Sequence, residues 1–273
     1  MYTEEDEEKV IIDGVYYSKD KTILLDYEDE KSIKNVNIID GVIEIAEYAF
    51  DLCETLETVN FPDSLETIGE TAFCGCENLK TVELPDSLET IGANAFAGCK
   101  NLKTVELPKN LVTLEYAVFS GCENLETIEL PDSIETIDGM AFADCVALKN
   151  VKLPDSLMDL RHNAFKGCTS LTSLKIPKGV TNIAESLVAY CPNLEVLYIP
   201  STITKFSQGC FWDSSFKEIR VYGGELSKGA KISLASALKL DRELERKSSD
   251  TYIRTTANGV DVKIIQNDVE PQL

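Results

Sequence analysis

LKTVELPDSLETIGANAFAGC, residues 79–99, carries the plan of the whole chain. Leu79, Val82 and Leu84 form an L-x-x-V-x-L core whose last three residues alternate inward and outward, as a short strand does. Pro85 ends that strand, because proline has no N–H to give to a ladder. Leu88 and Ile91 mark a second short extended segment. Ala95 and Phe96 plug the turn that follows, and Gly98–Cys99 bring the chain round. All the apolar positions then face one interior, so the stretch reads as one coil of a stack.

The same circuit recurs on both sides of it. Phe50, Phe73, Phe96, Phe119, Phe142 and Phe165 stand 23 residues apart, and Val188 and Phe211 continue the series. Cys53, Cys76, Cys99, Cys122, Cys145, Cys168 and Cys191 keep the interval, as do Pro62, Pro85, Pro108, Pro131, Pro154, Pro177 and Pro200. Three columns in one register are the signature of a solenoid. About eight copies fit between Ile33 and Val221. One copy has too few apolar side chains to offset the entropy of ordering its backbone. Stability must therefore lie between coils, and both ends need caps.

The ends have the composition of caps. KVIIDGVYYSKDKTILLDY reads as short strands with turns at Asp13–Gly14 and Ser18–Lys21, a hairpin expected to pack across the first coil. The eighth coil (DSSFKEIRVY) is one residue short and has Ser214 where cysteine is expected. Beyond it, Lys231 to Lys247 is rich in helix formers, and TYIRTTANGVDVKII reads as a hairpin about Asn258–Gly259. The expected organisation is an N-terminal capping hairpin with an acidic leader (1–32), the solenoid (33–222) and a C-terminal cap (223–273).

The run IPxxVTxIxxxAFxxCxxL, present as LPDSLETIGANAFAGCKNL and its copies, resembles the BspA-type leucine-rich repeats. DGVYYSKDKTILL looks like the hairpin that often precedes such arrays, and the resemblance extends over about residues 10–222. It implies a right-handed, horseshoe-like leucine-rich-repeat solenoid of parallel short strands. It also implies adhesion or protein binding at a bacterial or protist cell surface, and no catalytic residues. MYTEEDEEKV is acidic where a secretory leader would be basic and then apolar. Two locations stay open on that reading: cell surface or secreted, following the resemblance, or cytoplasmic if the native product begins here.

Charge narrows the partners. The net charge of −21 is spread as −7 over residues 1–32, −16 over 33–150, +2 over 151–223 and zero over 224–273. A field of that sign repels phosphate backbones and anionic membrane surfaces. It also keeps an elongated protein soluble. No apolar run is long enough to span a bilayer.

Residues with catalytic potential do not converge. Seven of the nine cysteines share one coil position, where stacked side chains point in parallel, a poor geometry for disulfides; they read as buried small hydrophobes. No C-x-x-C pairs with another or with histidines, so no zinc site or other cofactor is expected. His162, the single histidine, occupies a position that varies among copies and reads as exposed. No Gly-rich phosphate loop is present.

More informative is the outward residue inside each first strand. It runs Asn37, Asn60, Glu83, Glu106, Glu129, Lys152, Lys175, Tyr198, Arg220. Alternation turns these side chains away from the core, onto what would be the concave wall of a horseshoe. The preceding outward position carries Thr58, Thr81, Thr104, Thr127, Asn150 and Ser173. The face is a hydroxyl ladder beside an acidic stripe that turns basic and then aromatic. It is expected to bind a protein or peptide through Glu83, Glu106, Glu129, Lys152, Lys175, Tyr198 and Arg220. The bland alternative is a solvated strand face. A further alternative is carbohydrate binding by Tyr198, Tyr222 and Trp212, read as a cluster near the last coils.

Overall fold

A computed structural model describes residues 9–28, 33–214, 217–238 and 263–266. The chain enters through three short strands, β1 (Val10–Ile12), β2 (Val15–Tyr17) and β3 (Ile23–Tyr27), paired antiparallel in order. Asp13 and Gly14 join the first two with φ of 53° and 85°, the two left-handed residues a tight hairpin turn requires.

The coils follow, each with two strands. The first strands are β4 (Asn35–Asn37), β6 (Thr58–Asn60), β8 (Thr81–Glu83), β10 (Thr104–Glu106), β12 (Thr127–Glu129), β14 (Asn150–Lys152), β16 (Ser173–Lys175), β18 (Val196–Pro200) and β20 (Glu218–Tyr222). The second strands are β5 (Glu44–Ile45), β7 (Thr67–Ile68), β9 (Thr90–Ile91), β11 (Thr113–Leu114), β13 (Thr136–Ile137), β15 (Asp159–Leu160), β17 (Asn182–Ile183) and β19 (Lys205–Phe206). Like pairs with like, parallel and in register: Val82 opposite Val105, Ile45 opposite Ile68. The register steps by 23 residues until β20, which pairs with β18 at 22 because that coil is one residue short. The result is a parallel-strand solenoid of about eight coils.

Each recurring residue has a physical task. The phenylalanines are fully buried and stack ring on ring, with centroids 5.2–5.9 Å apart from Phe50 to Phe165. Tyr27 of β3 continues that stack over Phe50 at 5.5 Å. The serine of each Pro-Asp-Ser turn donates to a carbonyl of the previous coil, as Ser87 does to Leu65 at 2.7 Å and Ser133 to Leu111 at 2.6 Å.

The cysteines do more than fill space. Cys76, Cys99, Cys122, Cys145, Cys168 and Cys191 each donate their thiol to the carbonyl of the phenylalanine 26 residues earlier, at 3.1–3.2 Å. Ser214 makes the same bond to the carbonyl of Val188. A polar hydrogen is needed there because a buried carbonyl without a donor is costly. All nine thiols are free, so the ladder contains no disulfide.

Some coils touch too closely for a side chain. A Cβ on Gly92 would lie 2.5 Å from the backbone nitrogen of Glu70 and 2.7 Å from the carbonyl carbon of Gly69. Backbone cannot step aside as a side-chain tip can. Gly92→Ala is expected to force the two coils apart and to destabilise by about 1–3 kcal/mol in chemical denaturation. An unchanged midpoint would contradict the close approach.

The ends differ from the expectation in detail. At the N-terminus β3 pairs parallel with β5, so the hairpin adds a rung to the second-strand ladder at the open end of the first coil, with Tyr27 over Phe50. The reason is that Leu24 and Tyr17 enter the core as a further rung would, and both are buried. At the other end, helix α1 spans Lys228–Ala237, starting before Lys231 because Ser227 caps it, accepting from Ala230 N at 3.1 Å. Residues 239–247 and the turn about Asn258–Gly259 lie outside the described residues. Helix α1 packs on β19, where Ser233 Oγ accepts from Phe206 N at 2.8 Å and donates to Phe206 O at 3.0 Å. One hydroxyl thus satisfies both groups of an edge residue. Strand β21 (Lys263–Gln266) pairs parallel with β20 as one more rung.

Candidate binding face

Each three-residue first strand buries its central residue and turns its flanks outward, because extended residues alternate between the two faces. Val82, Val105, Ile128 and Val151 are buried, while Glu83, Glu106, Glu129 and Lys152 are exposed. Strand pairing brings Glu83, Glu106, Glu129 and Lys152 side by side, and Lys175, Tyr198 and Arg220 likewise. Strands β14 and β16 are neighbours, so the two groups form one continuous column.

The column's two ends are wired differently. Near the start, Asn60 donates to Asn37 at 2.5 Å and Thr58 to Asn35 at 2.6 Å, tying two rungs by side chains. Near the end, Arg220 binds Glu218 through two nitrogens, at 2.8 and 2.7 Å, and lies 5.7 Å over the ring of Tyr198. The Glu218 hydrogen bond holds the Arg220 guanidinium protonated even more firmly than usual. Lys175 lies 5.6 Å over the ring of Tyr222. Lys175, Tyr198 and Arg220 are accordingly half-buried, which alternation alone did not reveal.

Between these ends, Glu83, Glu106 and Glu129 form no ion pair among the described residues, although they stack on adjacent strands. The column beside them shows what relief looks like. There Glu57 pairs with Lys80, Glu126 with Lys149 at 2.8 Å and Glu195 with Lys217 at 2.6 Å, each to the next coil. Lys80 holds the Glu57 carboxyl below its usual range. Carboxylates about 4.8 Å apart repel by up to about 1 kcal/mol per pair in water, so the bare stripe has an electrostatic cost that the adjacent column avoids.

The aromatic residues read as one cluster do not meet. Tyr222 is buried, and its hydroxyl donates to Ile176 O at 2.6 Å, so it offers no platform to a sugar. It occupies the position where earlier coils have proline, which points into the coil. Trp212 is exposed but lies on the turn wall, where its carbonyl accepts from Tyr190 N. Tyr198 alone stays on the strand face.

His162 is exposed, its ring filling the notch over Gly139 beside Tyr116, centroids 6.4 Å apart. Burial pushes the ladder thiols up, Cys191 to about 12, and does the same for Cys210 outside the ladder, so they are poor nucleophiles. No group of three His, Cys, Asp or Glu able to hold a metal occurs among the described residues.

A family model of the BspA type leucine rich repeat region matches in six copies, over residues 26–148 and 112–228. The chain belongs to the BspA-type leucine-rich repeat family. Solved leucine-rich repeat structures agree with the coil geometry. A leucine-rich repeat protein from Eubacterium ventriosum is 28% identical with a TM-score of 0.62, covering 78% of this chain and 51% of that one. The leucine-rich repeat protein TpLRR of T. pallidum is 27% identical with a TM-score of 0.50, over 84% of this chain and 92% of its own. A leucine-rich repeat protein from Bacteroides ovatus, 24% identical with a TM-score of 0.62 over 94% and 69%, shares the fold. The chain thus spans about half the length of the E. ventriosum protein. Among curated proteins none matches. A BspA-type array is consistent with a protein-binding or surface repeat module.

Proposed function

We propose that this chain is a non-catalytic recognition module that binds a protein or peptide on its first-strand face. The observation that carries this reading is the stripe Glu83, Glu106, Glu129, which forms no ion pair among the described residues, beside a column that does. A protein maintains such repulsion cheaply only if something offsets it, and a partner with cationic groups at that spacing does so. Lys152 and Lys175 continue the column with the opposite sign, so the partner carries basic groups at one end and acidic groups at the other. Phosphate backbones do not fit this stripe. No described helix is long and apolar enough to cross a membrane. The dispersal of Tyr198, Tyr222 and Trp212 removes the ground for a sugar platform. Adhesion at a bacterial cell surface is the setting in which we place the module.

Charge reversal tests the reading. Once a partner has been isolated by affinity capture, Glu106→Lys and Lys152→Glu are each expected to weaken its binding about tenfold or more. Glu123→Lys, an equal change of charge at an exposed turn residue, should leave affinity unchanged. Equal affinity for all three variants and the parent chain would sink the proposal.

A further inference from the structure

We propose that the first-strand face pairs with the same face of a second copy of this chain, in antiparallel array about a twofold axis. The proposal rests on the strand face being the binding face and names its partner. The argument is the order of charges. Read along the column, Glu83, Glu106 and Glu129 are followed by Lys152, Lys175 and Tyr198. Place a twofold axis between the faces, parallel to the strands and midway between β12 and β14. Glu129 then meets Lys152 of the other copy, Glu106 meets Lys175, and Glu83 meets the hydroxyl of Tyr198 with Arg220 stacked over it. Each contact occurs twice, as an isologous interface requires.

The column at the strand starts repeats the pattern independently. The same axis sets Glu126 opposite Lys149, Lys80 opposite Glu195, and Glu57 opposite Lys217, while Lys103 faces the uncharged Thr172. The six charged residues that meet already pair along their own chain and remain about half-exposed, so they can join across the interface without breaking those pairs. The column between carries Thr81, Thr104, Thr127, Asn150 and Ser173, which bring no opposing charge.

The phenylalanines inside the coil stack 5.2–5.9 Å apart, against about 4.8 Å between strands, so the strand face is the shallow concave side and the long outward side chains make the contact across it. The eight first strands that face one another, about 4.8 Å apart and about 10–13 Å wide, give roughly 400–500 Å² per copy. That lies at the low end for specific association, so the dimer is weak and reversible. The remaining negative charge opposes approach at low salt, and about 0.15 M salt shortens its range to about 8 Å.

Sedimentation equilibrium of the full chain at about 0.15 M salt, from about 10 to 500 µM, tests this. The parent chain should form dimers that about 1 M salt dissociates. Glu106→Lys alone and Lys175→Glu alone should each weaken dimerisation about tenfold or more, since each sets like charges opposite twice. Mixed one to one, the two variants should form a heterodimer. The lysine introduced at position 106 of one copy then faces the glutamate introduced at position 175 of the other, and the unaltered Lys175 faces the unaltered Glu106. Glu123→Lys should dimerise as the parent does or slightly better. A parent chain monomeric throughout, or variants that fail to pair on mixing, would overturn the self-pairing. That failure would leave the strand-face reading itself standing, which falls only if Glu106→Lys binds a foreign partner unchanged.

Discussion

Raising the pH from about 8 to about 11 is expected to unfold the protein steeply, with a midpoint near 10. Cys76, Cys99, Cys122, Cys145, Cys168, Cys191 and Cys210 are held neutral, first of all by burial, well above the ordinary thiol value of 9.0. In the unfolded chain they ionise near that ordinary value. Below it both states keep the proton and stability is whole. Above it the unfolded chain binds fewer protons, and each thiol removes about 1.4 kcal/mol per pH unit until the folded values, about 12 for Cys191 and Cys210, are reached. Seven thiols acting together remove about 10 kcal/mol over one unit, comparable with the whole stability of an ordinary domain. Burial raises the Tyr17 phenol as well, which acts in the same direction. Far-UV circular dichroism against pH, with reductant present, reads the transition. Cys122→Ser should make it shallower while keeping the bond to Phe96 O, as Ser214 does for Val188. A signal flat to pH 11 would contradict the buried ladder.

The second large effect belongs to the ring stack. Phe119 is fully buried between Phe96 at 5.8 Å and Phe142 at 5.9 Å, with ring planes within 13° of parallel. Phe119→Ala removes the ring from two inter-coil contacts at once and should cost about 3–5 kcal/mol. Because the strand ladders and the ring stack join adjacent coils, the weakened site should also loosen the coupling of the two halves, splitting one urea transition into two. Phe211→Ala makes the comparison. That ring lies near the end of the array and is tilted against Phe206 at 6.1 Å, with planes 55° apart, whereas Phe119 is stacked on both sides. A smaller fall in midpoint and a single transition are expected there. Equal falls for the two variants would mean the stack carries no special share of stability.

What could be read beforehand follows the period. Phe, Cys and Pro columns place every buried side chain of a coil once one coil is understood, and the Asp13–Gly14 turn follows from the chirality of the backbone. The thiol hydrogen bonds were not visible, since a cysteine column looks the same whether it fills space or donates. Ser214 was the available signal: serine substitutes for cysteine here because both donate to a carbonyl. Tyr222 is misplaced when it is grouped with Tyr198 and Trp212 as a cluster near the last coils. Its own column, the prolines, would have put it against the coil, whereas Trp212 follows the Ala189 and Lys166 column on the turn wall. The route of the N-terminal strands needed the structure, because nothing in a strand pattern says which open ladder it will extend. For the outward column, alternation predicted exposure correctly at Glu83 through Lys152. It could not anticipate that Glu218 and Tyr198 would engage Arg220.

The central claim is that recognition takes place on the first-strand face. A photo-reactive amino acid placed at Glu106, and separately at Glu123 on the turn wall, tests it most directly when the captured partner is irradiated with each chain. The account predicts covalent capture from position 106 and none from position 123. Capture from position 123 with none from position 106 would contradict it.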